Sequence, residues 1–188
     1  MTVDDLVSRT RARLGARERR IVPQGSLIQA AVLVPIVDHG EPWLVFAKRT
    51  ERVAHHKGQI SFPGGVVDGT DATMLDAALR ECEEEIGLPR SEVEVLGTLD
   101  DSETVATQFV ITPFVGLVRG PVIWRPDGEE IEKVIEVPLA ALMDVRNFRV
   151  EHWERDGSLR PVYFFEHHGE TIWGATARIL KHYLDLVA

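Results

Sequence analysis

The chain has 188 residues, 44% of them hydrophobic, with a formal net charge of -9 and a single cysteine. That length and apolar content suit one globular unit over 1–188, while the acidic balance excludes long-range attraction to nucleic acid or an anionic membrane surface. One cysteine, Cys82, excludes an intramolecular disulfide framework, which fits a reducing cytoplasm, and no apolar run approaches the roughly 18 residues needed to cross a bilayer.

In chain order, Thr2 to about Leu14 reads as a helix capped by Thr2 with Asp5 three residues on, inside an N-terminal helical extension over 1–25. Arg9, Arg11, Arg13, Arg17, Arg19 and Arg20 crowd this region and are expected to form a solvated face. Two apolar runs, from Ala30 and from Trp43, flank Asp38 to Pro42 and read as strand, turn and strand. A short strand is expected at Gln59 to Phe62, running into Pro63-Gly64-Gly65. After an acidic helix, strands are expected at Val93 to Leu99, Phe109 to Val118 and Lys133 to Val137. Phe148 to Glu154 and Leu159 to His167 flank Asp156-Gly157, a hairpin signal. A closing helix is expected to carry Ile172, Trp173, Ile179, Leu180, Tyr183 and Leu184 on its core side. The pattern is α/β in the mixed α plus β sense.

The acidic helix carries the chemistry. At about 100° per residue, with Arg80 at zero, Glu84 falls at about 40°, Glu81 at about 100° and Glu85 at about 140°. Three carboxylates therefore share one face. Leu75, Ala78, Leu79, Cys82 and Ile86 fall together elsewhere as an apolar stripe, and Glu83 lies apart from both groups. Like charges within one turn repel, and they stand toward the helix C-terminus, where the macrodipole disfavours them. A divalent cation resolves the conflict, and hard oxygen ligands suit Mg²⁺ or Mn²⁺.

The segment from Gly65 to Leu88 resembles the Nudix box, G-x5-E-x7-R-E-U-x-E-E-x-G-U with U apolar, through Gly65, Arg80, Glu81, Cys82, Glu84, Glu85, Gly87 and Leu88. It departs at the middle acid, where Asp71 stands in place of Glu, with eight residues rather than seven before Arg80. The resemblance implies the Nudix fold, a mixed β-sheet sandwiched between helices, and metal-dependent hydrolysis of a diphosphate linkage. It implies Glu81 and Glu85 as principal metal ligands, Glu84 as an auxiliary ligand or proton acceptor, the Gly65 carbonyl as a further ligand, and Arg80 as the residue fixing the carboxylates. A general base must lie within about 3 Å of the attacking water. Glu84, Glu103 and Glu130 are the candidates, and the sequence does not choose among them.

The flank from Leu44 to Gly65 resembles the coenzyme A pyrophosphatase branch of that family through Arg49, His56, Gly58, Phe62 and Pro63-Gly64-Gly65, as do the VVDGTDAT stretch and the Ile172 to Ala177 segment IWGATA. Ala54 stands where the branch usually has arginine. Coenzyme A or a derivative is the substrate so implied, split to 4′-phosphopantetheine and adenosine 3′,5′-bisphosphate. Arg49, Arg52, His56 and Lys57 supply cations beside Gly64, suited to phosphate. Trp173 and Gly174 are candidates for a pantetheine or adenine pocket, whereas His55, His167 and His168 are expected in exposed loops. The alternatives are a Nudix pyrophosphatase for ADP-ribose, NADH or nucleoside triphosphates, and a non-catalytic nucleotide-binding regulator. The expected partner is a small molecule rather than nucleic acid or membrane, and a homodimer is an open assembly state.

Overall fold

The computed structural model describes residues 1–23, 25–53, 56–104, 108–155 and 157–188. Ala54, His55 and Asp156, each singled out in the sequence, lie outside the described residues. Helix α1 (Val3–Gly15) opens with the expected capping box, in which the Thr2 side chain accepts from the Asp5 N–H and the Asp5 carboxylate accepts from the Thr2 N–H. Strands β1 (Ile28–Asp38) and β2 (Pro42–Arg49) form an antiparallel pair only where they meet at the turn, from Ile36↔Leu44 to Asp38↔Pro42. Beyond that point they diverge, and the gap is filled by two short strands, β3 (Ile60–Ser61) on β2 and β4 (Gly64–Val66) on β1. The divergence is what gives the Pro63-Gly64-Gly65 segment its place.

Helix α2 (Met74–Ile86) starts at Thr73, whose hydroxyl accepts from the Asp76 N–H, and stops at Gly87, in the left-handed conformation at φ 70°. β5 (Val93–Thr98) and β6 (Ser102–Glu103) pair with β7 (Phe109–Val118), which runs parallel to β1, and β8 (Ile131–Pro138) closes the other side on β2. A short α3 (Leu139–Met143) leads to a second, three-stranded antiparallel sheet: β9 (Phe148–Arg155), β10 (Ser158–His167) and β11 (Glu170–Trp173). Helix α4 (Gly174–Val187) ends the chain.

β1 is apolar on both faces because both are covered. Ala31 and Leu33 pack with Ala77, Ala78, Leu79, Cys82 and Ile86 of α2, and Val32, Val34 and Ile36 pack with Leu6 of α1 and Leu180, Tyr183 and Leu184 of α4. The mixed sheet is thus sandwiched between helices, as the sequence implied. The two helices of the second face are joined through a buried pair of hydroxyls, Thr10 and Tyr183, at 2.9 Å.

Four expectations need correction. Ile172 and Trp173 belong to β11 rather than to the closing helix, since they pair with Phe165 and Phe164, and Gly174 at φ 69° marks the break. The helical extension ends at Gly15, and residues 16–23 run on as an extended strap. Arg9, Arg11 and Arg13 are exposed on α1 as expected, but Arg17 and Arg19 of the strap are not solvated: they pair with Asp100 and Asp101 at 2.5 Å each, and the Val22 N–H donates to Asp101 Oδ2 at 3.0 Å. Acids in the turn between β5 and β6 hold the strap down. His167 likewise ends strand β10 half-buried, while His168 is exposed at the turn.

Candidate active site

The site forms in the gap between β1 and β2. Gly64 pairs with Val32 and Gly65 with Ala31. At Gly64 φ is 145°, and a Cβ would stand 2.3 Å from the Ala31 carbonyl oxygen and 2.5 Å from the Val32 Cα. Backbone cannot give way, so glycine is required. At Gly65 the obstacle differs: a Cβ there would meet the Glu81 carboxyl group at 2.5 to 2.7 Å. Gly64 lets two strands approach, and Gly65 lets a carboxylate lie against the loop.

Helix α2 brings Glu81 and Glu85 to this loop. The Gly64 N–H donates to Glu85 Oε2 at 3.0 Å. Glu85 is only 6% exposed, and burial pushes its pKa up to about 7, opposed by the Gly64 N–H and reinforced by the Glu81 charge. Glu81, half-buried, is also raised by burial, against the pull of Arg80. Two neighbouring carboxylates held out of water are a demand for positive charge. Glu84 and Glu83 are both exposed, but Glu84 alone joins the network, accepting from Arg80 at 3.0 Å.

Arg80 is the hub. It forks onto Asp71, Nε to Oδ1 and Nη2 to Oδ2 at 3.0 Å each, and also donates to Glu81 at 2.9 Å and to the Val66 carbonyl at 3.2 Å. The displaced middle acid therefore has a position: Asp71, its side chain 3% exposed, pins the arginine that orients two box carboxylates. Arg80 also holds the Asp71 carboxyl below the usual carboxylate range.

Opposite the helix stands a loop that sequence reasoning touched only at Glu130. Asp127 Oδ1 accepts from the N–H groups of Glu129, Glu130 and Ile131 at 3.0, 3.0 and 2.8 Å, a turn foreshadowed by the Asp127-Gly128 pair. The Asp127 N–H donates to the Glu85 carbonyl at 3.1 Å, which ties the loop to the helix. Glu130 then faces Arg49, whose Nη2 donates to it at 2.9 Å and whose Nη1 lies 4.0 Å from Glu85 Oε1.

The structure therefore brings Arg49, Gly64, Gly65, Arg80, Glu81, Glu84, Glu85 and Glu130 together. Arg52 is exposed and donates to the Gly128 carbonyl at 2.5 Å, so it braces the loop. His56, at φ 59°, shares a hydrogen bond with Gln59, and Lys57 is exposed on the same turn. Glu103 is apart from this group: it is exposed on β6, and its backbone carbonyl accepts from Arg178 of α4. Trp173 lies against Phe164 at a ring separation of 6.3 Å on the second sheet.

Among the described residues no three ligating side chains are already gathered around one point. The acids are instead tied individually, to Arg80, to the Gly64 N–H and to Arg49. The donor set nevertheless fits a hard divalent cation, because it is all oxygen and because burial and a neighbouring carboxylate raise both Glu81 and Glu85 in spite of these partners.

Comparison with known proteins places the chain in a family. The family model described as NUDIX domain matches residues 27–159. Proteins of Salmonella paratyphi B and Salmonella newport, each described as an uncharacterized Nudix hydrolase, NudL, are 39% identical over 155 residues, covering 81% of this chain and 79% of theirs. Among solved structures, a MutT/nudix family protein from Enterococcus faecalis superposes with a TM-score of 0.58 at 14% identity, covering 92% of this chain and 66% of that one. The Nudix hydrolase RenU from M. smegmatis superposes with a TM-score of 0.51 at 22% identity, over 61% of this chain and 73% of its own. By sequence match, and with a fold those structures share, the chain belongs to the Nudix family of hydrolases.

Proposed function

We propose that this Nudix hydrolase cleaves the diphosphate of coenzyme A or one of its derivatives, giving 4′-phosphopantetheine and adenosine 3′,5′-bisphosphate. The observation that carries the hydrolytic reading is the pair of Glu81, half-buried and held by Arg80, and Glu85, buried and held by the Gly64 N–H, at the Gly64-Gly65 loop. Glu81, Glu85 and the Gly65 carbonyl would hold Mg²⁺ or Mn²⁺, with Glu84 as auxiliary. The cation supplies charge neutralisation at the phosphoryl oxygens and acidifies the attacking water. Arg80 keeps the carboxylates in register, and Arg49 and Lys57 offer positive charge to the substrate's phosphates. Glu130, fixed by Asp127 and facing Glu85 across Arg49, is the proton acceptor that this geometry favours over Glu103. Water adds to one phosphorus, the bridging P–O bond breaks, and the leaving phosphate keeps the bridging oxygen.

Support for coenzyme A is the flanking pattern of Arg49, His56, Gly58 and Phe62 before the loop. A substrate panel with Mg²⁺ or Mn²⁺, with products identified by mass, tests it: coenzyme A, its thioesters, dephospho-coenzyme A, ADP-ribose, NADH and nucleoside triphosphates. Coenzyme A should exceed dephospho-coenzyme A in catalytic efficiency by roughly 10- to 150-fold, the worth of one charge-assisted contact to the 3′-phosphate. Equal rates on those two substrates would remove that contact. Hydrolysis of ADP-ribose with both left intact would remove coenzyme A while leaving diphosphate hydrolysis in place.

A further inference from the structure

Strand β2 carries two adjacent cations that serve opposite faces of the sheet. Lys48 reaches Glu170 of β11, with Nζ to Oε2 at 2.9 Å, whereas Arg49 reaches Glu85 of α2 and Glu130 of the opposite loop. Lys48 is thus engaged away from the box acids. The Arg49 side chain is 23% exposed, and its Nε is buried without a hydrogen-bond partner among the described residues. Its partner Glu130 is 59% exposed at the side chain, and a pair at such a rim is weak and exchangeable. The backbone beneath that pair is fixed, since the Thr50 N–H donates to the Glu130 carbonyl at 2.8 Å and the Asp127 carboxylate holds the three N–H groups already described. A rigid frame therefore carries a loosely held cation between two acids.

We propose that Arg49 is the resident counter-cation of the metal site: it neutralises Glu85 and Glu130 until a divalent cation takes its place beside them, and is then released to the phosphoryl oxygens of the substrate. The inference rests on the metal role proposed for Glu85, and adds that one side chain couples metal loading to substrate affinity. A divalent cation on Glu85 attracts the carboxylates more strongly than a guanidinium does, and repels the guanidinium at the same distance. Once released, the planar fork matches two oxygens of a diphosphate. Arg49 thereby weakens metal binding in the free enzyme and strengthens anion binding in the loaded one.

The test uses full-length protein without substrate, titrated with Mn²⁺ while free Mn²⁺ is read by electron paramagnetic resonance. Arg49→Gln should bind Mn²⁺ about tenfold more tightly than wild type. Lys48→Gln removes the same charge one residue away and should leave that affinity unchanged. At saturating Mn²⁺, Arg49→Gln should also raise KM about tenfold or more, so the two constants move in opposite directions. Should Arg49→Gln fail to fold, Arg49→Lys carries the test: its single ammonium spans one carboxylate rather than two and should tighten Mn²⁺ binding a few fold. Unchanged or weaker Mn²⁺ binding, or equal tightening in Lys48→Gln, overturns the exchange while leaving the metal site standing. Wild-type protein that binds no Mn²⁺ overturns both.

Discussion

At the scale of single residues, the two box acids nearest the loop differ from their neighbours by burial rather than by charge. Glu81→Gln and Glu85→Gln should lower turnover roughly a thousandfold or more at saturating metal and substrate, with circular dichroism unchanged, as the metal role proposed for both carboxylates requires. Glu83→Gln, on the exposed face, should stay within about twofold, as expected for a surface position. Retained turnover in both ligand variants would take the helix out of the mechanism. The paired glycines separate fold from site in the same way. Gly64→Ala pushes a methyl into the Ala31 and Val32 backbone at a strained φ, and should cost about 3 kcal/mol or more in denaturant unfolding. Gly65→Ala meets only the flexible end of Glu81, so the protein should fold while metal affinity falls. Comparable loss of stability in both would show that the Glu81 carboxylate is as immovable as backbone.

At the scale of elements, the strap after α1 is held by charge rather than by apolar packing. Asp101 accepts from Arg19, from the Val22 N–H and from the Thr112 hydroxyl, and is only 4% exposed. Asp101→Ala leaves these donors without their acceptor, and should cost about 2 kcal/mol and expose residues 16–23 to protease. Equal cleavage of wild type and variant would show that the strap is held elsewhere. The neighbouring Asp100 adds a pH dependence. Burial disfavours its ionisation, but the Arg20 N–H and the Arg17 guanidinium prevail, and its pKa is lowered below the ordinary 3.8. A depressed carboxylate contributes stability above its unfolded pKa and loses it as pH falls through the folded value. The strap should therefore remain protected from hydrogen exchange at pH 5 to 7 and loosen only below about pH 4. Loosening between pH 6 and 7 would assign its attachment to some other group.

At the scale of the whole molecule, the strained acid pair predicts linkage between metal and stability. A cation that binds the folded chain alone stabilises it by about 2.7 kcal/mol at a hundred times Kd, which for a chain of this size raises Tm by roughly 5 to 10 °C. Mg²⁺ or Mn²⁺ should produce that rise in a calorimetric scan, and a chelator should reverse it. A Tm indifferent to millimolar concentrations of both ions would mean that the free protein assembles no site and that substrate must complete it. Among the described residues no helix is long and apolar enough to cross a membrane.

The sequence by itself determined what depends on short spacing. The 3.6-residue period put Glu81, Glu84 and Glu85 on one face and Ala78, Leu79, Cys82 and Ile86 on another, and the structure keeps that division, with Cys82 buried beneath the box. Thr2 with Asp5 fixed the first helix start, continuous apolar runs located β1 and β2, and the Asp156-Gly157 pair located β9 and β10. Periodicity weakens in segments of a few residues, which is why β4, β6 and α3 were missed and why β11 was read as the start of α4. What only the tertiary structure decided are contacts between distant segments. Glu85 is buried where Glu84 is exposed because the loop and the Asp127 turn cover one side of the helix and not the other. Asp71 reaches Arg80 because the bend at residues 72–73 that opens α2 sets it alongside that helix, and the strap arginines find Asp100 and Asp101 some 80 residues away. Arg49 faces Glu130 only because β2 and the 127–130 loop meet beside α2. Local patterning states which residue types line an element, whereas desolvation and charge pairing depend on what the rest of the chain places against it.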